Sequence, residues 1–209
     1  MRIALVGNGP SYKEHVEILN SPEYDLRVGC NYTDPLIKVD YSAFCDSKAA
    51  RLMRDQGTHA SYRKGKRLIL GERAEFGLSC VKSKPGGSIT CLQLFLREGL
   101  IKEVLPLPFS IDHKSGDGQK FFTSGHMAYQ WICRNHASAT VHVYGVDSLF
   151  TGDPRTSYSQ SQVSNTTSGD PNTEVAEMWK SIWKRMTTET YPDMDTTFIG
   201  PDGQTMKEI

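Results

Sequence analysis

The chain has 209 residues, of which 24 are Lys or Arg and 24 are Asp or Glu, so its formal net charge at pH 7 is zero. That length suits one α/β domain able to bury its core without disulfides or metals, and the charge balance leaves no global field to draw nucleic acid or an anionic membrane. The five cysteines, Cys30, Cys45, Cys80, Cys91 and Cys133, are irregularly spaced and mostly lie in apolar runs. This is how reduced thiols are used in a cytoplasmic protein, and the spacing fits no zinc site. The apolar start is too short for a signal peptide and no stretch is long enough for a membrane span, so a soluble cytoplasmic protein is expected.

In chain order, Ile3-Ala4-Leu5 predicts a first strand that runs directly into Gly7-Asn8-Gly9-Pro10-Ser11 and then a helix over about residues 12–19. Ser11 and Glu14 have the spacing of a capping box for that helix. A strand, a tight loop and a helix in succession offer backbone N–H groups that suit phosphate oxygens, although the same residues are also good turn formers. Residues 24–30 read as a second strand and 37–44 as a third, interrupted by Asp40, while Asp46-Ser47 would cap a helix near 48–55. A fourth strand is expected at 67–71, with a further extended piece at 78–81, a helix over 88–98 and a strand over 102–107. Residues 112–120 carry no apolar periodicity and read as a mobile loop.

Ser124 to Asn135 reads as helix and Thr140 to Val146 as an alternating strand. The stretch 151–170 is rich in Ser, Thr, Gly and Pro; at about twenty residues it exceeds most connections, which marks it as a lid. A helix follows, with Asp170 as N-cap and Pro171 in its first position. Val175, Met178, Trp179, Ile182, Trp183 and Met186 share one face of it, a stripe that reads as core. Strands alternating with helices predict a mostly parallel, doubly wound α/β sheet in a single domain over 1–209.

Polar clusters close several of these strands: Asn31 after the second, Asp46 after the third, and Gly145-Val146-Asp147 after the one at 140–146. Thr123-Ser124-Gly125-His126 opens a helix and offers hydroxyls and unbonded N–H groups. Each cluster alone could be a cap or a turn. Together with Asn8 they fall on one edge of a parallel sheet, the edge at which open α/β folds bind ligands.

The order Gly7-Asn8-Gly9-Pro10-Ser11, Cys30-Asn31, Thr123-Ser124-Gly125 and Gly145-Val146-Asp147 resembles the single-domain bacterial sialyltransferases of glycosyltransferase family forty-two. The likeness runs from residue 1 to the helix ending near 188 and rests on the order and spacing of short motifs. It implies a Rossmann-like sheet with a mobile lid, a cytidine-monophosphate sugar as donor, no metal or other cofactor, and a homo-oligomer. It also implies that Asn8 and Asn31 meet the donor's phosphate and nucleotide, that Ser124 and Gly125 line the sugar and nucleotide pocket, and that Asp147, with Gly145, sits against the ribose or cytosine. The family's tyrosines after Gly-Ile-Asp hold the leaving phosphate; here Asp147-Ser148-Leu149-Phe150 lacks the first, leaving Tyr158 as a stand-in for the second and Arg155 as a closing group. The family's lid histidine, its general base, has no counterpart after His142, so His126, Asp153 and Asp170 are the candidate bases. A glycan or small-molecule acceptor is expected, while the basic run Arg63, Lys64, Lys66 and Arg67 keeps a nucleic acid open.

Two other readings stand beside this one. Gly-Asn-Gly-Pro-Ser after a first strand also resembles archaeal-type pterin pyrophosphokinases, which use ATP and magnesium; Asp34, Asp40 and Asp46 would then supply carboxylates. A nucleotide-sugar binding protein without catalysis is the third.

Overall fold

The computed structural model describes residues 1–31, 36–45, 47, 67–83, 86–105, 123–152 and 173–209. Within them lies an eight-stranded sheet in the order β5-β4-β3-β2-β1-β6-β7-β8. Its strands are β1 (Arg2–Val6), β2 (Leu26–Cys30), β3 (Tyr41–Phe44), β4 (Leu68–Gly71), β5 (Ile101–Leu105), β6 (Thr140–Tyr144), β7 (Asp195–Ile199) and β8 (Thr205–Met206). Every neighbouring pair is parallel except β7 with β8. This is the expected Rossmann-like α/β sheet.

The strands at its centre are apolar on both faces because helices cover both. Ile3, Leu5, Val28 and Val143 point to one side, against α4 (Ser124–Asn135) and α6 (Thr173–Arg185), which contribute Met127, Ile132, Ile182 and Trp183. Ala4, Val6, Leu68 and Leu70 point to the other. They meet Tyr12 of a 3-10 turn (Pro10–His15), Leu19 of α1 (Val16–Asn20), Leu78 of α2 (Glu72–Ser79) and Phe95 of α3 (Cys91–Arg97). The chain winds outwards from β1 to β5 and then returns to the far side of β1 as β6. The strand order therefore reverses between β1 and β6, where open α/β sheets leave a crevice at their carboxyl ends.

Several elements differ from the sequence expectation. The helix after β1 starts as the 3-10 turn, its N-cap Gly9 has no side-chain cap, and the expected capping box of Ser11 and Glu14 does not form. Ser11 instead bonds Asp147, and the Glu14 carboxylate accepts the Asp202 N–H at 3.0 Å. The third strand begins at Tyr41 rather than Ile37, because Asp40 is occupied in capping: its carboxylate accepts the Arg27 N–H at 2.8 Å. Residues 78–81 are not extended, since Leu78 and Ser79 end α2. α3 is shorter than expected; Thr90 and Gln93 form its capping box and set its start.

α4 runs over the expected residues. The C-terminal β7 and β8 were not among the expected elements; β7 pairs along all of β6. Thr151 and Gly152, the expected beginning of the lid, end a short helix, α5 (Ser148–Thr151). The remainder of the lid, the helix near 48–55 and the loop at 112–120 lie outside the described residues, as do Asp170 and Pro171. Among the described residues no helix is long and apolar enough to cross a membrane.

Candidate functional site

At the strand-order reversal the loops after β1 and β6 touch. The Gly7 N–H donates to the Tyr144 carbonyl and the Gly9 N–H to the Gly145 carbonyl, both at 2.7 Å. A Cβ on Gly7 would lie 2.3 Å from the Gly145 oxygen, and Gly145 itself has φ +66. Both glycines are therefore required by this close approach. Asp147 completes the junction: one carboxylate oxygen accepts the Ser11 N–H at 2.9 Å and the other accepts the Ser11 hydroxyl. Burial pushes the Asp147 carboxyl upwards, against the two Ser11 bonds that hold it down.

Beside this junction opens a cleft with about 470 Å³ of empty space, part of it open solvent. Gly7, Asn8 and Gly145 form its floor, Asn31 closes β2 at one side, the first turn of α4 supplies Thr123, Ser124 and Gly125, and Trp179 and Trp183 of α6 stand opposite. Asn8, Asn31, Ser124 and Gly125, expected from sequence to meet one ligand, thus share one cleft. Gly9, Pro10, Ser11 and Asp147 are not among its lining residues. The expectation that Asp147 faces a ribose or base gives way to a structural role: it ties the two ligand-side loops together.

Hydrogen bonding determines how the Asn31 amide points. Asn31 has φ 55, a left-handed conformation that Asn tolerates better than most residues, and its N–H donates to the Ala43 carbonyl at 2.8 Å. The Ser124 hydroxyl accepts the Cys45 N–H at 2.9 Å, so its one proton goes to Asn31 Oδ1 at 2.7 Å. Oδ1 thus already accepts one bond, which orients the amide, and the Nδ2 group has no partner among the described residues. Asn8 is 8% exposed, and among the described residues its side chain has no hydrogen-bond partner. Asn8 lines the cleft, so its amide faces the space a ligand would fill.

His126 was a candidate base and is instead a clamp. Its Nδ1 accepts the Thr123 N–H at 3.1 Å, Nε2 donates to the Trp179 carbonyl at 3.3 Å, and its ring centre lies 4.7 Å from that of Trp183. It is fully buried, and burial lowers its pKa to about 3. A neutral imidazole with both nitrogens engaged does not take a substrate's proton at neutral pH. Cys30 also borders the cleft, with its thiol pushed up to about 12 by burial, far from thiolate chemistry. Asp46, Asp153, Arg155, Tyr158 and Asp170 lie outside the described residues.

Comparison of the chain with protein-family models, with curated proteins and with solved structures found no match. The site is read from its own residues. Sequence reasoning missed Trp179 and Trp183 as walls of the cleft. Their i, i+4 spacing gives a core stripe, and at 8% and 3% exposure they are core as well as wall. Their position directly after the expected lid was the available signal.

Among the described residues there is no group of three or more His, Cys, Asp or Glu side chains placed to hold a metal. Asp193-Met194-Asp195 has the Asp-x-Asp spacing of a metal-binding pair, but it leads into β7 at the amino-terminal edge of the sheet, away from the cleft, and Asp195 pairs with Lys207 at 3.1 Å. Asp40, one of the carboxylates a pyrophosphokinase would use, lies at that same far edge with its carboxylate on Arg27.

Proposed function

We propose that the cleft binds a nucleotide sugar, a CMP-sugar being the favoured donor, and that the protein is a glycosyltransferase-like enzyme passing the sugar to a glycan or small-molecule acceptor without a metal. The observation that carries the binding half is Asn8, a nine-tenths buried amide with no partner among the described residues, in a cleft at the strand-order reversal beside a helix N-terminus. The preference for a CMP-sugar, and a homo-oligomeric state, rest on the order of the four motifs. Asp153, Asp170 and Tyr158 stay as the groups that would serve catalysis, with Arg155 closing over the leaving phosphate.

Retention of His126 as a structural clamp favours a second reading, a nucleotide-sugar binding protein that performs no transfer. One experiment separates the two. Thermal unfolding is followed with CMP, UDP, GDP, ATP and the corresponding sugars, and each stabilising sugar nucleotide is then tested for hydrolysis. A CMP-specific rise in Tm with slow hydrolysis, both lost in Asn8→Ala, supports the enzyme. A rise without turnover supports the binder. Stabilisation by ATP and magnesium alone would return the pyrophosphokinase reading.

A further inference from the structure

Ser124 opens α4 at the cleft and is 4% exposed. Its hydroxyl has a single proton and is bonded twice: Oγ accepts the Cys45 N–H at 2.9 Å and donates to Asn31 Oδ1 at 2.7 Å. The Asn31 N–H donates to the Ala43 carbonyl at 2.8 Å. The end of β3 therefore holds Asn31 in two ways, its backbone directly and its amide through Ser124. The opposite setting of the amide would put two N–H donors on Oγ and leave the buried Ser124 proton without an acceptor among the described residues, which burial penalises. With that proton given to Asn31, Ser124 has none to donate to a phosphate or carboxylate oxygen.

We infer that Ser124 is a positioning residue of the cleft: it donates no hydrogen bond to the ligand and acts through Asn31, holding that amide so that Nδ2 meets an acceptor oxygen of the ligand. For the identity of the ligand this rests on the nucleotide-sugar reading. It changes what the motif likeness implies for Ser124, which lines the pocket but serves the ligand through its neighbour. An amide already held in its bound setting spares the complex the entropy of fixing it.

The test is a double-mutant cycle on the full chain, read as CMP affinity by titration calorimetry. Its single variants are Ser124→Ala and Asn31→Gly, glycine being chosen because Asn31 has φ 55. Asn31→Gly is expected to weaken CMP binding at least about tenfold, the loss of a hydrogen bond to a charged group. Ser124→Ala is expected to weaken it about fivefold, the cost of fixing a side chain that has been set free. The double variant is expected to bind as Asn31→Gly does. Unchanged affinity in Ser124→Ala, or losses that add in the double variant, overturn the inference, because Ser124 would then act without Asn31.

A second measurement needs neither ligand nor variant, so it decides the matter if Ser124→Ala does not fold, or if CMP does not bind and the nucleotide-sugar reading fails. In the free protein, NMR cross-relaxation between the Asn31 side-chain amide protons and the Ser124 β-protons reports which end of the amide faces the hydroxyl. A weak signal is expected, since Oδ1 stands between them. That result upholds the orienting role of Ser124 even where CMP fails to bind. A strong signal, with one Nδ2 proton protected from solvent exchange, means that Nδ2 bonds Oγ, and it overturns the inference whether or not CMP binds.

Discussion

The two edges of the sheet use the same kind of residue in opposite ways. At the amino-terminal edge, an Asp precedes each of two strands and caps the first or second residue of the strand beside it. Asp25 accepts the Arg2 N–H at 2.7 Å and returns its own N–H to the Arg2 carbonyl; Asp40 does the same with Arg27 at 2.8 Å. At the carboxyl-terminal edge Asp147 is spent on Ser11 in the same manner, but Asn8 and Asn31 each keep an amide donor without a partner among the described residues. A side chain whose bonds are all spent on the backbone explains itself structurally. One held in place with bonds unspent points to a ligand.

Substitutions can break this contrast, and the largest effect is expected where the two ligand-side loops touch. Gly7→Ala forces a methyl group against the Gly145 carbonyl oxygen, 2.3 Å from its ideal position, and should cost about 3 kcal/mol or prevent folding, read by urea denaturation. Next is His126→Ala, which removes both bonds of the clamp between α4 and α6 and should cost about 2 kcal/mol.

The clamp also predicts a pH dependence. Because the His126 pKa falls from 6.5 to about 3 on folding, the unfolded chain binds the extra proton between those values. The contribution of His126 is complete above about 6.5 and is lost as pH falls towards about 3. Acid unfolding curves of the wild type and of His126→Gln should converge at low pH; parallel curves would refute the neutral clamp.

At the amino-terminal edge, Asp40→Ala should cost about 1 kcal/mol and leave nucleotide binding unchanged. The smallest stability change belongs to Asn8→Ala, within about 0.5 kcal/mol of wild type because no protein hydrogen bond is lost, while the ligand-induced rise in Tm disappears. If Asp40→Ala weakened binding, or Asn8→Ala cost as much stability as Asp40→Ala, the contrast between the edges would fail.

The parts of the fold that could be read from sequence are those where local pattern and tertiary environment agree. Ile3 to Val6 and Leu68 to Leu70 are apolar runs because both faces of their strands are covered, and α4 carries its own capping box. Ser11 misled, since a hydroxyl placed to cap a helix was captured by a carboxylate 136 residues away. β7 escaped notice because Thr196 and Thr197 weaken its apolar pattern; its place is set by pairing along β6, with Phe198 buried in the core. The tryptophans of α6 were read as core, which is half of their role.

By itself the sequence determined that strands and helices alternate, and that glycine, Asn31 and the Thr123-Ser124-Gly125 turn follow strands or open a helix, because these depend on apolar periodicity and on residues a few positions apart. Tertiary structure decided which of the polar groups are spent. Asp147 was taken by Ser11, His126 by Thr123 and Trp179, and one face of Asn31 by Ser124, each through a contact whose partner or burial no local pattern encodes. A hydrogen bond satisfies whichever acceptor the folded chain brings within reach, so the residues left over for a ligand are known only after every other pairing is made.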